Sequence, residues 1–358
     1  MATKARAREA GERLLGAFLR AGAAEVTPDL LQPADRLLDL YGEDIRARAY
    51  VTSDPLRGEM MLRPDFTVPV VEAHMAEGAE PARYCYMGEV FRRQDHRGAA
   101  RANEYLQAGY EVFDRTDPDT ADAEVFALFA RLLAHLRLTA TVGDIGILRA
   151  AVAGIDTIAP RKAALARHIW RPRRFHALMT RYAGLAPVPA PRAALLAGAA
   201  EGGGAPWIGQ RTPEEMQARI EVLRMDAEAA PIPADVVAQF DALFALACPA
   251  DQAPQRLAAL GIPALSPAIA RLERRLAAMA ARSIDTSALV FEASHGRSSM
   301  EYYDGFVFTF SAQDPALPPV ASGGRYDALT RVLGGGREIP AVGGVIRPGI
   351  VADMEARG

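Results

Sequence analysis

Two apolar, strand-like runs frame a charged stretch in the first third of the chain. They span residues 84–87 and 109–113, and the residues between them are largely polar, with glycine and alanine interspersed. This pattern predicts two strands joined by a long loop, and loops of more than about a dozen residues usually serve a function. A strand pair holding a basic loop suits an anionic or zwitterionic small ligand, although a solvated hairpin tip gives the same pattern. The loop carries five basic residues: Arg92, Arg93, His96, Arg97 and Arg101.

Two other stretches have the periodicity of amphipathic helices. Residues 4–21 and 118–137 each place their apolar side chains on one face, and Asp119 or Thr120 is expected to cap the second helix. The apolar positions expected to face the core are Leu14, Leu15, Phe18 and Leu19 in the first helix and Val125, Phe126, Phe129, Leu132, Leu133 and Leu136 in the second.

The middle of the chain differs from both ends. Residues 151–285 read as short helices separated by proline and glycine clusters, which predicts a mainly helical insertion. Residues 161–181 contain no acidic residue and suit an acidic partner surface or a phosphate, or simply a solvated helix face. Residues 288–310 predict a strand, a loop and a hairpin that turns at Asp304-Gly305. The basic residues of the 161–181 segment are Arg161, Lys162, Arg167, Arg171, Arg173, Arg174 and Arg181.

Composition excludes several classes of protein. The 358 residues allow two or three domains, or one large domain with an insertion. A net charge of −3 gives no general attraction to nucleic acid. Two cysteines, Cys85 and Cys248, fit a reducing compartment and cannot form a disulfide framework. No apolar run approaches the length of a membrane span, so we expect a cytoplasmic protein. The scattered histidines offer no metal site.

Several sequence motifs occur in an order that resembles one family. The stretches MLRPDFTVPV at 61–70, GEVFRR at 88–93, QAGYEVF at 107–113 and SGGRYDALTRVLGG at 322–335 are similar to class II aminoacyl-tRNA synthetases of the histidyl-tRNA synthetase lineage. The resemblance implies an α+β fold, with a mostly antiparallel sheet flanked by helices. It places the synthetase-like core at 1–150 and 286–358 and a helical insertion at 151–285, and we expect no anticodon-binding domain. Pro28 matches the proline of the family's dimer interface, although a turn proline would look the same.

The resemblance also assigns residues to an amino-acid pocket. Asp65 and Thr67, two apart in extended chain, point the same way and match a glutamate and a threonine that hold the α-amino group. Asp65 is one methylene shorter than glutamate and could instead cap a helix. Arg92 matches the arginine that grips carboxylate and phosphate, for which a planar guanidinium is suited.

Four further residues complete the assigned pocket. Gln107 and Glu111 lie four apart and share a strand face; they match a glutamine that contacts the amino acid and a glutamate that faces the imidazole. A buried salt bridge from Glu111 to an arginine is the alternative. Tyr302 and Tyr303 match the family's Tyr-Tyr pair, and strand alternation would place one of them in the core in any case. The glycines expected to admit a flat ligand are Gly323, Gly324, Gly343 and Gly344.

The nucleotide side of the pocket departs from the family. Gln94 replaces a glutamate, and Ser298 aligns with the activating arginine, with Arg297 one residue early. Ile350 takes the place of the arginine that lies against ATP, and Arg347 stands three residues before it. An apolar residue cannot neutralise a triphosphate. These departures imply binding without catalysis, with no catalytic residue and no cofactor.

This combination resembles a synthetase paralogue, the regulatory subunits of ATP phosphoribosyltransferase. The resemblance implies a chain required by a short-form catalytic subunit in the first step of histidine biosynthesis and involved in histidine feedback. It further implies a dimer within a hetero-octamer, free histidine as a ligand, and no tRNA partner. The alternatives are a histidyl-tRNA synthetase-like enzyme that activates histidine with ATP, and an amino-acid-binding partner of another assembly.

Overall fold

The computed structural model describes residues 2–34, 47–94, 102–198, 212–297 and 302–357. Three residues of the predicted basic loop, His96, Arg97 and Arg101, lie outside this part of the chain, as does Ser298. The strands are β1 (Ala24–Glu25), β2 (Leu31–Pro33), β3 (Val51–Asp54), β4 (Gly58–Leu62), β5 (Ala82–Phe91), β6 (Glu104–Phe113), β7 (Leu138–Asp144), β8 (Ala247–Pro249), β9 (Val290–Glu292), β10 (Phe306–Ala312), β11 (Ala321–Arg325) and β12 (Ala341–Ile346).

Thirteen α-helices lie among the described residues, and none of them has both the length and the apolar character needed to cross a membrane. They are α1 (Lys4–Arg20), α2 (Thr67–Glu77), α3 (Pro118–Leu133), α4 (Ile145–Ala153), α5 (Ala159–Arg167), α6 (Pro172–Tyr182), α7 (Ala190–Leu196), α8 (Pro213–Glu228), α9 (Ala234–Ala245), α10 (Ala253–Ala258), α11 (Ser266–Ala280), α12 (Asp327–Leu333) and α13 (Pro348–Glu355).

One large sheet organises the fold. Its nine strands run in the order β1-β5-β6-β12-β11-β10-β7-β9-β8. Neighbours are antiparallel except for the pairs β1 with β5 and β7 with β9. Strands β2, β4 and β3 form a separate small antiparallel sheet. The predicted α+β class, with a mostly antiparallel sheet flanked by helices, is confirmed.

The first two predicted strands are present but longer than the apolar runs suggested. They are β5 and β6, each ten residues long and paired along their whole length. From Gln107 onward every residue of β6 is buried, because β5 and β12 flank the strand and helices such as α1 pack against it. The sheet therefore carries Gln107 and Glu111 into the interior.

Both predicted amphipathic helices form, with differences at their ends. The second begins and ends earlier than expected: its N-cap is Asp117, whose carboxylate accepts a hydrogen bond from the backbone N–H of Thr120, and its last residue is Leu133. The prediction of Asp119 as the cap was wrong because Asp119 pairs instead with Arg274 on α11. In the first helix Leu14 and Phe18 are buried as predicted, whereas Leu19 is exposed.

The predicted hairpin at Asp304-Gly305 was wrong. The strands on either side of it, β9 and β10, both pair with β7 rather than with each other. The Asp304 carboxylate accepts hydrogen bonds from the backbone N–H groups of Asp327 and Ala328 at 3.0 and 2.9 Å. A long-range cap at the start of α12 has replaced the local turn.

The segment expected to be a helical insertion is tied to the sheet in two ways. It contributes β8 to the sheet edge, and its helix α11 carries Arg275, which is fully buried. Arg275 donates to Asp122 at 2.7 Å and to Asp144 at 2.8 Å, and Arg325 donates to Asp122 from the other side. This buried ion cluster joins α11 to α3 and β11. The boundaries of the insertion as a separate domain stay a prediction.

Candidate functional site

A fully buried carboxylate, Glu111, lies at the centre of the candidate site. It accepts hydrogen bonds from the hydroxyls of Thr67 at 3.0 Å, Tyr86 at 2.8 Å and Tyr326 at 2.6 Å. The sequence predicted Glu111 and Thr67, and the structure brings them together; the buried Glu111–arginine pair considered as an alternative is not formed among the described residues. Tyr86 and Tyr326 were missed. Gly109 could have indicated Tyr86, because this glycine pairs with Tyr86 across the strands and leaves room for its ring.

The surroundings of Glu111 set its charge. Burial has the largest effect and raises the pKa of this carboxyl to about 7, against the lowering effect of the hydroxyls of Tyr326, Tyr86 and Thr67. The nearby Asp65 carboxylate raises this pKa further. Burial also raises the pKa of both tyrosines well above the usual value, so both phenols remain proton donors at neutral pH. The site thus holds a carboxyl that titrates near neutrality.

A second buried carboxylate, Asp65, lies where β4 leads into α2. Tyr302 donates to its Oδ2 at 3.4 Å, and Nη2 of Arg92 lies 3.9 Å from the same oxygen. Its Oδ1 accepts from the backbone N–H of Val68 at 3.5 Å, a long version of the capping contact that was the alternative interpretation. Asp65 therefore contacts the start of the helix and also faces two of the predicted pocket residues.

Two arginines approach the site from different elements. Arg92 follows β5, and its Nε donates to the Pro64 carbonyl at 2.7 Å. Arg347 precedes α13, and its pKa is lowered first by burial and also by the charge of Arg92, while Tyr105 raises it. The two guanidinium groups therefore repel each other electrostatically. A cation is present on this side of the pocket although Ile350, half-buried against the core, supplies none.

Gln107 is buried, with 1% of its surface exposed. Its Oε1 accepts no hydrogen bond in the part of the chain that the structure describes. An unpaired buried amide oxygen costs about 1–3 kcal/mol, unless a ligand supplies the donor. Gln107 shares the face of β6 with Glu111, so the unpaired oxygen lies on the pocket side of the strand.

Tyr302 and Tyr303 are both buried, and their ring centroids are 4.9 Å apart. Strand alternation was expected to send them to opposite faces, and this was wrong because both precede β10 in a non-strand segment. The Tyr302 ring also lies 6.2 Å from that of Tyr326. The tyrosine pair therefore belongs to the same aromatic wall as the residue that binds Glu111.

The paired glycines make room for the protein's own side chains, not for a flat ligand as was expected. A Cβ on Gly343 would lie 1.4 Å from Oε2 of Glu111, and one on Gly324 would lie 2.8 Å from the Tyr303 ring. Positions Gly323 and Gly344 are covered by the Phe308 ring. Glycine at these places is needed for the pocket walls to form.

Arg297 points into the insertion. Its Nε donates to the Ile169 carbonyl at 2.8 Å, and its guanidinium lies 4.0 Å from the ring centroid of Phe244 and 5.6 Å from that of Phe175. Burial lowers its pKa to about 10. The arginine closest in sequence to the expected activating position is therefore held between aromatic rings of α6 and α9.

The remaining nucleotide-side residue, Gln94, is held by the protein itself. Its amide donates to the Arg92 carbonyl at 3.0 Å and accepts from Arg48 at 3.4 Å. Within the described residues, no three histidine, cysteine, aspartate or glutamate side chains are grouped as a metal ion would require.

Comparison with known proteins identifies the family to which this chain belongs. The family model for histidyl-tRNA synthetase matches residues 2–202 and 215–348. The fold is similar to an ATP phosphoribosyltransferase regulatory subunit/histidyl-tRNA synthetase from Bacillus halodurans, with a TM-score of 0.66 at 19% identity over 98% of this chain and 79% of that one. A histidine–tRNA ligase subunit from Alicyclobacillus acidocaldarius gives 0.61 at 22% identity, over 98% and 93%. The chain has the fold of class II synthetases of the histidyl-tRNA synthetase family.

Relatives with higher sequence identity identify the group within this family. The chain is 33% identical to the ATP phosphoribosyltransferase regulatory subunit of Agrobacterium fabrum over 93% of each chain. It is 32% identical to the protein of the same name from Mesorhizobium japonicum over 88% of each. Within the histidyl-tRNA synthetase family, the chain belongs to the ATP phosphoribosyltransferase regulatory subunits.

Proposed function

We propose that this chain is the non-catalytic regulatory subunit of ATP phosphoribosyltransferase, required for activity of the short-form catalytic subunit in the first step of histidine biosynthesis. Relatives of that name, at 33% and 32% identity, support the proposal. We further propose that the chain dimerises, that it assembles with the catalytic subunit as a hetero-octamer, and that it works in the cytoplasm without tRNA.

One observation carries the non-catalytic part of the proposal. In a synthetase-like site, an arginine beside the tyrosine pair would stabilise charge during activation. Here Arg297 is committed to the Ile169 carbonyl and the Phe244 ring. Freeing it would break that bond and open the packing around it. The apolar Ile350 and the uncharged Gln94 remove further charge from the nucleotide side.

We propose free histidine as the ligand of the pocket. The Asp65 carboxylate suits an ammonium group, and the guanidinium of Arg92 suits a carboxylate. An imidazole N–H would supply the donor that Gln107 Oε1 lacks, and the near-neutral pKa of Glu111 allows a proton to be shared with the ring. Residues proposed to form this site are Asp65, Thr67, Arg92, Gln107, Glu111, Tyr302 and Tyr303.

Feedback then follows from linkage. If histidine binds one arrangement of the assembly more tightly, it shifts the population toward that arrangement, typically with about 1–3 kcal/mol of coupling. Calorimetry on the wild type and on Glu111→Ala tests the ligand. Unchanged histidine affinity in the folded variant would remove Glu111 from the site.

Reconstitution tests the function. The short-form catalytic subunit should convert ATP and phosphoribosyl pyrophosphate slowly alone and rapidly after this chain is added, and histidine should reduce the rate. A catalytic subunit that is equally active with and without the chain contradicts the proposal.

The alternative is an enzyme that activates histidine with ATP. Arg347 would be the cation available to such an enzyme, although its Nη1 donates to the Pro319 carbonyl. That enzyme would catalyse histidine-dependent exchange of pyrophosphate into ATP, whereas we expect none from the purified chain. Recovery of a different partner, without a phosphoribosyltransferase, would favour an amino-acid-binding role in another assembly.

A further inference from the structure

Helices α5 and α6 carry a basic face on the insertion, which we define as Arg167, Arg173, Arg174 and Arg181. All four side chains are exposed. Within the described part of the chain none of them has a carboxylate at ion-pair distance, and only Arg181 has a ring contact, with Tyr182. The stretch 159–182 contains no acidic residue, so the charge of the face is not neutralised locally.

The face results from how α6 packs. The helix buries Phe175, Met179 and Tyr182 against the rest of the insertion. Arg174 and Arg181 lie seven residues apart, which is two helical turns, so they form one stripe that flanks the buried side, while Arg173 lies opposite the buried side.

Other cations of the same stretch have different roles. Arg161 is buried and donates to Asp226 and to the Ala230 carbonyl, while Lys162 donates to the Ala153 carbonyl at 2.9 Å. The interpretation of 161–181 as one uniform charged run was therefore wrong for these two residues. The basic face is the exposed part that remains.

Exposed apolar side chains adjoin the basic face in sequence. Leu185 and Val188 follow α6 directly and are 65% and 58% exposed. Arginine is enriched at protein–protein interfaces relative to the rest of the protein surface. RNA recognition would use exposed aromatic rings for stacking, but Phe175 and Tyr182 are buried, and the chain as a whole is negatively charged.

We propose that the basic face, together with the exposed Leu185 and Val188 that follow α6 in sequence, docks a carboxylate-rich surface of the catalytic subunit. This inference rests on the proposed function, because that function supplies the protein partner. The charge of the face determines what the partner surface must carry: acidic side chains facing the α6 stripe, beside an apolar patch.

The same helix is connected to the pocket. On its buried side, Phe175 contacts the Arg297 guanidinium, which also binds the Ile169 carbonyl between α5 and α6. Five residues after Arg297 in the chain is Tyr302, which donates to Asp65 in the pocket. A partner bound to the basic face would therefore contact the same helix whose buried side contacts Arg297.

A charge-reversal experiment tests the surface. The face variant carries Arg173→Glu, Arg174→Glu and Arg181→Glu. The matched control carries Arg20→Glu, Arg131→Glu and Arg137→Glu, three exposed arginines elsewhere that also lack an ion pair in the described residues. Affinity for the short-form catalytic subunit is measured by biolayer interferometry at 50 and 300 mM salt, with thermal unfolding of each variant and activation of the catalytic subunit as further measurements.

We expect the face variant to bind at least about tenfold more weakly at low salt, and the control to bind like the wild type. The difference should shrink at 300 mM salt, where exposed charges are screened. An Arg→Gln triple at the same positions should fall between the wild type and the face variant, which excludes misfolding caused by new acidic groups. Unfolding temperatures should match in the face variant and the control.

Three results would overturn the inference. If the face variant binds and activates the catalytic subunit like the wild type, the inference is wrong and the proposed function is unaffected. A wild type that itself neither binds nor activates the catalytic subunit would contradict the proposed function and this partner together. Finally, a fluorescent RNA hairpin that binds the wild type and not the face variant, with unchanged catalytic-subunit affinity, would assign the face to RNA.

Discussion

Tyr326 donates its phenolic proton to Oε2 of Glu111 at 2.6 Å, and this bond crosses a strand. Tyr326 follows β11, Glu111 belongs to β6, and β12 lies between them in the sheet. The residue of β12 opposite Glu111 is Gly343, where any side chain would clash with the carboxylate. The site therefore depends on a glycine in the intervening strand as much as on the two polar groups.

Replacing Tyr326 by phenylalanine removes one of three hydroxyl donors to Glu111 and keeps the ring. A hydrogen bond to a charged group contributes about 1.5–3 kcal/mol, so we expect Tyr326→Phe to lower the free energy of unfolding at pH 8 by that amount. Denaturant unfolding measures this change. Tyr50→Phe is the control, since the Tyr50 hydroxyl has no partner within the described chain. An equal loss of stability in Tyr50→Phe would mean that the loss in Tyr326→Phe does not come from the bond to Glu111.

The pKa of Glu111 predicts a pH-dependent stability. The folded protein keeps this proton up to about pH 7, whereas the unfolded chain releases it near the ordinary value of about 4.3. Folding therefore takes up a proton between these values. Stability falls as the pH rises through this window, and the full cost, about 4 kcal/mol, is present above pH 7.

Glu111→Gln should remove this part of the pH dependence. Between pH 5 and pH 8 the wild type should lose up to about 3 kcal/mol more unfolding free energy than Glu111→Gln loses. Glu9→Gln, at an exposed position, should unfold with the same pH profile as the wild type. Parallel profiles for Glu111→Gln and wild type would mean that Glu111 is ionised at low pH in the folded protein.

The buried ion cluster predicts a large difference between two arginines of α11. Arg275→Ala leaves the carboxylates of Asp122 and Asp144 with a lost partner in the interior, at a cost of about 3–5 kcal/mol. Arg271→Ala removes an ion pair to Asp119 whose arginine is 43% exposed, and should cost less than about 1 kcal/mol. Urea unfolding of both variants measures the two costs, and similar values would contradict the burial argument.

The sequence predicted those parts of the site that depend on local geometry. Strand periodicity placed Gln107 and Glu111 on one face. The extended conformation predicted for Asp65 to Thr67 was wrong, because Phe66 has helical backbone angles and Thr67 begins α2. The hydroxyls that bind Glu111 could not be predicted in the same way. Tyr86 and Tyr326 are 25 and 215 residues away from Glu111, so only the strand order brings them together.

Local signals failed where a distant element competed for the same group. Asp304-Gly305 has the composition of a hairpin turn, but the Asp304 carboxylate is used to cap α12. Asp119 is suited to cap α3, but α11 supplies Arg274 to it. In each case a long-range partner gave the side chain a role that the neighbouring sequence could not indicate.

Gln107 distinguishes a ligand-binding role from a structural one. Its Oε1 has no donor within the described residues, so Gln107→Leu loses no hydrogen bond at that oxygen, and we expect stability equal to or above that of the wild type. If histidine supplies the missing donor, its affinity should fall by at least about tenfold, the equivalent of one lost hydrogen bond. Urea unfolding and calorimetry with histidine measure the two effects.

The matched control for that variant is Gln239→Leu. The Gln239 amide donates to the carbonyls of Leu260 and Gly261 at 3.2 Å each, so its loss should destabilise the fold by about 1 kcal/mol and leave histidine affinity unchanged. The two variants should therefore give opposite results. Gln107→Leu should lose histidine affinity without losing stability, and Gln239→Leu should lose stability without losing histidine affinity. A Gln107→Leu protein that unfolds more easily and binds histidine normally would make Gln107 a structural residue.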